Sequence, residues 1–178
     1  MKESDNMSKR EQEALNNKEY LNIVRYILES QEFNKRKEYK HHGDKSVYDH
    51  SIEVSYLAYK ISKKLGLDYK DTAIGGLLHD FYYYDWHITP KEKNILKKHG
   101  FTHAKQALEN TKKCFPQYLN FRTQDIILRH MFPLNIVPPK YLESWIVSIS
   151  DKIVSMDLVK NKDMLICVGL KKRSNKNE

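Results

Sequence analysis

Six side chains of the types that bind metal ions recur along the sequence, each beside apolar residues. They are His50, His79, Asp80, His103, His130 and Asp151. The doublet His79-Asp80 directly follows the apolar run 73–78, so two chelating groups stand at the end of a segment expected in the core. A charged side chain is rarely fully buried unless it is paired or coordinates an ion. The doublet therefore points to a metal ion, and the other four residues are the candidates to complete its coordination.

Helical spacing places these four residues on apolar faces, because residues four apart lie on the same side of a helix. The pairs are His50 with Val54, His103 with Ala107, His130 with Ile126, and Asp151 with Val147. A single inward histidine is more often a hydrogen-bonded core residue than a ligand. Here five elements each place a ligand-type side chain among apolar residues, which favours one shared site. In that site a cation neutralises the carboxylates and accepts the imidazole lone pairs.

The ligand types restrict the metal. Imidazole with carboxylate suits Fe, Mn, Zn, Ni or Co, whereas neither Cys114 nor Cys167 lies in a CxxC pair, so a structural thiolate zinc site is not expected. Six ligands are too many for one ion that must also bind a substrate. Two metal ions bridged by a carboxylate would use all six. The sequence thus predicts two divalent ions or a di-iron centre, with the identity of the metal left open.

The elements that must carry these ligands are all helical, since no run alternates at period two. The predicted helices cover 8–30, 47–65 after Ser46, a segment from Asp68 or Asp71 to near Asp80, 102–114 capped by Thr102, 124–131 capped by Thr123, and 140–159. Residues 34–46 are expected to form a loop. We therefore predict one all-α domain, a bundle of about six to eight helices over 1–178, with its core at 46–158 and flexible ends at 1–7 and 171–178.

The charge and composition limit the kinds of partner that the protein is expected to bind. The 178 residues carry a formal charge of +8, which suits an anionic ligand, but no recognised nucleic-acid-binding motif is present and nucleic acid is not expected. No apolar run approaches the roughly 18 residues of a membrane span, so no membrane partner is expected. The N-terminus lacks the apolar core of a signal peptide. These features predict a cytoplasmic protein, with a homodimer left open.

The order H...HD...H...H...D, which His50, His79-Asp80, His103, His130 and Asp151 form, resembles the HD-domain superfamily of metal-dependent phosphohydrolases. The resemblance covers about 46–158 and implies an all-helical bundle. It implies a first metal held by His50, His79, Asp80 and Asp151, with Asp80 bridging to a second metal held by His103 and His130. Simpler members keep only H...HD...D and one metal, so this chain resembles the dinuclear branch.

The resemblance implies hydrolysis of a phosphoester or phosphoanhydride in a small phosphorylated metabolite, with a nucleotide as the first candidate. A metal-bridging hydroxide would be the nucleophile, and Asp80 and His79 would belong to the catalytic centre. His42, Lys45 and Lys152 are the candidates for binding substrate phosphate. Two alternatives stay open: an HD-type di-iron oxygenase, which uses the same ligand order, and a non-catalytic metal-binding or interaction protein.

Overall fold

The computed structural model describes residues 7–39, 45–83 and 99–156, and this part of the chain is helical with no β-strand. The α-helices are α1 (Lys9–Asn16), α2 (Lys18–Glu29), α3 (Gln31–Asn34), α4 (Val47–Lys64), α5 (Tyr69–Leu78), α6 (His99–Cys114), α7 (Phe121–Arg129) and α8 (142–156), with 3-10 helices at Lys35–Glu38 and Pro116–Tyr118. The predicted all-α helical bundle is confirmed. Among the described helices, none is both long enough and apolar enough to cross a membrane.

The two helices that carry the first ligands begin where the sequence predicts. The Ser46 side chain accepts from Asp49 N–H, and the Asp49 side chain accepts in return from Ser46 N–H, which makes a capping box at the start of α4. Asp68 caps α5 by accepting from Asp71 N–H. These caps satisfy backbone donors that the first turn of a helix leaves without partners, and they fix where His50 and His79 fall along their helices.

Three predicted helix boundaries are wrong. The stretch 8–30 is two helices, because Asn17 has extended backbone angles (φ −88°, ψ 102°) and its side chain caps α2. α6 already begins at His99, so Thr102 lies inside it. α7 is capped by Asn120, whose side chain accepts from Thr123 N–H, while Thr123 returns the bond to Asn120 N–H. Thr123 is therefore the second member of a capping box and not the N-cap.

Two other boundaries shift less. The predicted loop at 34–46 contains the 3-10 helix Lys35–Glu38, and its residues 40–44 lie outside the described residues. The last helix begins at 142, two residues after the predicted start, and 157–159 lie outside the described part of the chain.

The core lies on both sides of α4 and α5. A larger apolar cluster joins α2, α4, α5 and α6, including Val24, Ile52 and Leu77, and a smaller one joins α4, α7 and α8 through Val54, Ile126 and Val147. Burial of these side chains supplies the main stabilising free energy. The ligand residues occupy positions on the same helices, so core packing also sets their spacing.

Two adjacent glycines let α5 approach its neighbours closely. A Cβ atom added to Gly76 would lie 3.0 Å from the Cα of Ser55 in α4, and one added to Gly75 would lie 2.7 Å from Cγ2 of Ile126 in α7. Ser55 also links three helices, because its hydroxyl accepts from the Tyr20 hydroxyl (2.8 Å) and donates to the Ala73 carbonyl (2.7 Å). The absence of side chains at the two glycines is thus what allows α5 to pack between α4 and α7.

Carboxylates gather where α1 packs on the start of α4. Glu53 is buried and forms ion pairs with Arg10 and Lys45. Glu11 is also buried, at 5% exposure. Burial, together with the negative charges of Asp49 and Glu53, raises the pKa of Glu11 from 4.5 to about 7. At neutral pH this carboxyl is therefore partly protonated in the folded protein.

We predict that Gly76→Ala destabilises the protein by about 1–3 kcal/mol, because the new methyl group meets main chain that can move only with α4. This loss should outweigh the gain of about 1 kcal/mol in helix propensity. Urea unfolding measures the change, with Lys70→Ala on the exposed side of α5 as the control. A Gly76→Ala protein as stable as wild type would show that α4 and α5 separate without cost.

We predict that Glu11→Gln removes part of the pH dependence of stability. Between pH 4.5 and about 7 the unfolded chain releases the Glu11 proton while the folded protein retains it, so the free energy of unfolding falls as pH rises. The difference between the two proteins should reach at most about 3 kcal/mol above pH 7 and vanish below 4.5. Gln12→Ala, at an exposed position of α1 that carries no titrating group, should leave the wild-type pH profile unchanged in denaturant titrations.

Candidate metal centre

The structure brings all six predicted ligand residues to one place in the interior. They come from five elements: His50 from α4, His79-Asp80 from the end of α5, His103 from α6, His130 from the end of α7, and Asp151 from α8. The four histidines and Asp80 are at most 5% exposed, and the side chain of Asp151 is 14% exposed. Residues more than 100 positions apart thus meet in a shared buried centre.

The first group consists of His50, His79 and Asp151. The Nε2 atom of His50 lies 3.1 Å from Oδ1 of Asp151, and Nε2 of His79 lies 3.9 Å from the same oxygen. One potential ligand atom of each residue lies within 4.8 Å of the others. A single cation could therefore contact all three.

The second group consists of Asp80, His103 and His130. Oδ1 of Asp80 lies 3.3 Å from Nε2 of His103 and 3.5 Å from Nε2 of His130, and the two Nε2 atoms are 2.9 Å apart. One cation could therefore contact all three residues, and His79 lies close enough to Asp80 and His130 to contact it as well.

Asp80 faces both groups with different oxygens. Its Oδ2 lies 3.5 Å from Nε2 of His79, while its Oδ1 faces His103 and His130. A carboxylate in this position could contribute one oxygen to each of two ions. This is the arrangement that the predicted bridging role of Asp80 requires.

Hydrogen bonds fix the orientation of two of the rings. Nδ1 of His79 donates to the Gly76 carbonyl at 2.7 Å, and Nδ1 of His130 donates to the Ile127 carbonyl at 2.8 Å. Because a carbonyl only accepts, Nδ1 of each ring carries a proton, so Nε2 is the nitrogen left to bind a metal ion in the centre.

The donor set fits a metal ion. Nε2 of His79 is buried and has no hydrogen-bond partner in the described part of the chain, and buried polar atoms without partners are rare in proteins. A cation at this position would complete the bonding of that nitrogen. Imidazole nitrogen with carboxylate oxygen is also a donor combination that transition metals prefer.

The electrostatics keep two of the ligands, His130 and Asp151, in their metal-binding forms. Burial, with the neighbouring His79 and His103, lowers the pKa of His130 from 6.5 to about 3. Burial alone would raise the pKa of Asp151, but the hydrogen bond with His50 and the neighbouring His79 hold it below its usual range. At neutral pH the structure therefore offers a neutral imidazole and an ionised carboxylate, and neither must lose a proton to bind a cation.

The three residues predicted to bind substrate have different surroundings. His42 lies outside the described residues. The ammonium group of Lys45 forms an ion pair with the buried Glu53. The Nζ atom of Lys152 donates to Ser148 Oγ at 2.8 Å and to the Ser148 carbonyl at 3.1 Å, and its desolvation lowers the pKa of the group.

A cleft of about 430 Å³ opens beside Asp151 and Lys152. Its other lining residues are Met131, Pro133 and Leu134, which follow the ligand His130 in the chain. The cleft thus joins the first metal-ligand group to an apolar surface large enough for part of an organic molecule.

One set of contacts at the site was not predicted from the sequence. The buried Ser148 donates from its hydroxyl to the main-chain carbonyl of His130 at 2.6 Å. Ser144 and Ser148 stand four residues apart, so a pair of small polar residues on one face of α8 was the available signal. That signal does not reveal which atom of α7 each hydroxyl reaches.

Comparison with known proteins identifies one family. A family model described as HD domain matches residues 47–156, which include all six candidate ligands and most of the described helices. No curated protein and no solved structure matches the chain.

We predict that Asp80→Ala loses both metal ions, because the substitution removes the carboxylate whose two oxygens face the two groups. His103→Ala should lose only the ion of the second group and retain the first. Elemental analysis of protein loaded with Mn²⁺ and then desalted gives the stoichiometry, with Asp71→Ala as an aspartate control outside the centre. If His103→Ala loses both ions while Asp80→Ala loses one, Asp80 does not bridge them.

Proposed function

Because the chain belongs to the HD-domain family, we propose that it is a metal-dependent phosphohydrolase acting on a small phosphorylated metabolite. The bond cleaved is a phosphoester or phosphoanhydride, and a nucleotide is the first candidate for the substrate. His50, His79 and Asp151 would hold one ion, His103 and His130 the other, and Asp80 would contact both.

The observation that carries this proposal is the division of the Asp80 carboxylate between two groups of imidazoles. Its Oδ2 faces His79 and its Oδ1 faces His103 and His130. A site for one structural ion would not need a second set of nitrogens around the far oxygen. Two adjacent cation positions instead match the requirement of phosphoryl chemistry, in which negative charge on several oxygens must be neutralised together.

When bound, two such ions bind phosphate oxygens and lower the pKa of a water molecule toward neutrality, so that hydroxide is available as the nucleophile. The protein's own residues supply the conditions for this chemistry. The carbonyls of Gly76 and Ile127 keep the Nε2 lone pairs of His79 and His130 directed inward. The burial of the ligands excludes bulk water, which strengthens every electrostatic interaction in the centre.

We propose that Lys45, five residues before the candidate ligand His50, binds the phosphate of an anionic substrate. An ammonium group has three N–H donors, so Lys45 can contact phosphate while it remains paired with Glu53. We propose the same role for His42 on the basis of the sequence alone. The apolar cleft beside Asp151 would accept the organic part of the substrate.

The test is a product assay under anaerobic conditions. Metal-free protein is loaded separately with Mn²⁺, Fe²⁺, Co²⁺, Ni²⁺ or Zn²⁺ and incubated with nucleotides, dinucleoside polyphosphates and sugar phosphates. We expect release of phosphate or a nucleotide product by at least one metal form, and none by Asp80→Ala, because the variant lacks the shared ligand.

The same assay, repeated in air with oxygen consumption recorded, separates the alternatives. Turnover that consumes oxygen and yields no phosphate or nucleotide product without it would overturn the hydrolase proposal in favour of the di-iron oxygenase. Stoichiometric metal binding with no turnover of any tested phosphate compound would favour a non-catalytic metal-binding protein.

A further inference from the structure

The main-chain carbonyl of His130 receives two hydrogen bonds from α8. Ser148 Oγ donates to it at 2.6 Å, and Lys152 Nζ donates to it at 3.4 Å. His130 is the C-cap of α7, and the last carbonyls of a helix lack N–H donors within the helix. The two donors of α8 therefore satisfy a helix end at the residue whose ring enters the second ligand group.

The donors of Lys152 are directed at the protein. Besides the His130 carbonyl, its ammonium donates to the hydroxyl and to the carbonyl of Ser148, one helical turn earlier. These three contacts match the three N–H bonds of an ammonium group. With its donors used in this way, Lys152 is poorly arranged for the phosphate contact predicted from the sequence. Its side chain instead supports the His130 carbonyl.

The same turn of α8 serves both ligand groups. Asp151 belongs to the first group, and its neighbours Ser148 and Lys152 hold the residue that contributes the His130 ring to the second. The ring itself is tied to the Ile127 carbonyl at 2.8 Å. With its carbonyl and its Nδ1 both fixed, His130 has little freedom to move its Nε2 atom away from Asp80.

We propose that Ser148 and Lys152 are positioning residues, which hold the His130 carbonyl and thereby set the imidazole for metal binding in the Asp80–His103–His130 group. The proposal rests on the metal-binding role in the proposed function. Neither residue is one of the six candidate ligands, so each would act on the metal through His130. Partners that orient metal ligands in this way typically change metal affinity or activity about 10- to 100-fold when they are removed.

The chain provides a matched control on the same face of α8. Ser144 is buried, lies one turn before Ser148, and donates to Oδ2 of Asp125 in α7 at 2.7 Å. Ser144→Ala and Ser148→Ala each delete one hydroxyl hydrogen bond between the same two helices. Only the second deletion reaches a residue of the metal centre.

The experiment is a Co²⁺ titration of the metal-free full-length protein, followed by visible absorption and calorimetry. We expect Ser148→Ala to weaken the binding of one of two Co²⁺ ions by about 10-fold or more and to leave the other unchanged. Ser144→Ala should bind both as wild type does. Lys152→Met should weaken the same ion as Ser148→Ala, and Lys152→Arg should restore part of the affinity because it keeps a cationic donor.

A second measurement reports on His130 without metal. Imidazole ¹⁵N spectra of the metal-free protein should show the His130 signals shifted in Ser148→Ala and unchanged in Ser144→Ala. Equal effects of the two serine substitutions on Co²⁺ affinity and on these spectra would overturn the positioning role. If wild type binds no Co²⁺, the proposed function fails, and the spectra alone still decide whether Ser148 orients His130.

Discussion

A carboxylate enclosed by imidazoles is the constraint on which the rest of this structure depends. Asp80 is 5% exposed and has three histidine nitrogens within 3.5 Å. An isolated charge in such surroundings would cost several kcal/mol of desolvation. Cationic or hydrogen-bonding partners must offset this desolvation free energy. In this structure the partners lie on separate helices. Helices α5, α6 and α7 must therefore pack together before this enclosure of Asp80 exists.

The ends of two helices contribute directly to the centre. His79 and His130 are the C-caps of α5 and α7. Each ring donates from Nδ1 to the carbonyl three residues earlier, on Gly76 and Ile127 respectively. Such carbonyls lack partners where a helix stops. The end of each helix thus supplies the carbonyl acceptor that places a proton on Nδ1. The same hydrogen bond occurs on both sides of Asp80, once in His79 and once in His130.

Much of the centre could be predicted from the sequence, because four-residue spacing ties each ligand to an apolar face. Caps were predictable where one candidate stood alone, as at Ser46. At the start of α7 two capping residues, Asn120 and Thr123, are three positions apart, and the spacing does not distinguish the N-cap from its reciprocal partner. The break at Asn17 was missed because the apolar stripe continues across it.

Other features require three-dimensional information. The grouping of ligands around the two oxygens of Asp80 depends on distances between residues remote in sequence, and only the family resemblance suggested it. The direction of the Lys152 side chain depends on where α7 ends relative to α8. A lysine beside a metal ligand is equally compatible with phosphate binding and with support of another helix, so its sequence position could not decide between them.

The hydroxyl of Ser55 has a consequence for motion. It joins α2, α4 and α5 through Tyr20 and the Ala73 carbonyl, at the level where Gly76 lies against the backbone of α4. Rotation of α5 about its own axis would break this buried link and drive the helix into its neighbour. His79 lies one turn further along α5, so the direction in which its side chain leaves the helix axis is fixed. We expect the amide protons around this contact to exchange only through the most global opening of the protein.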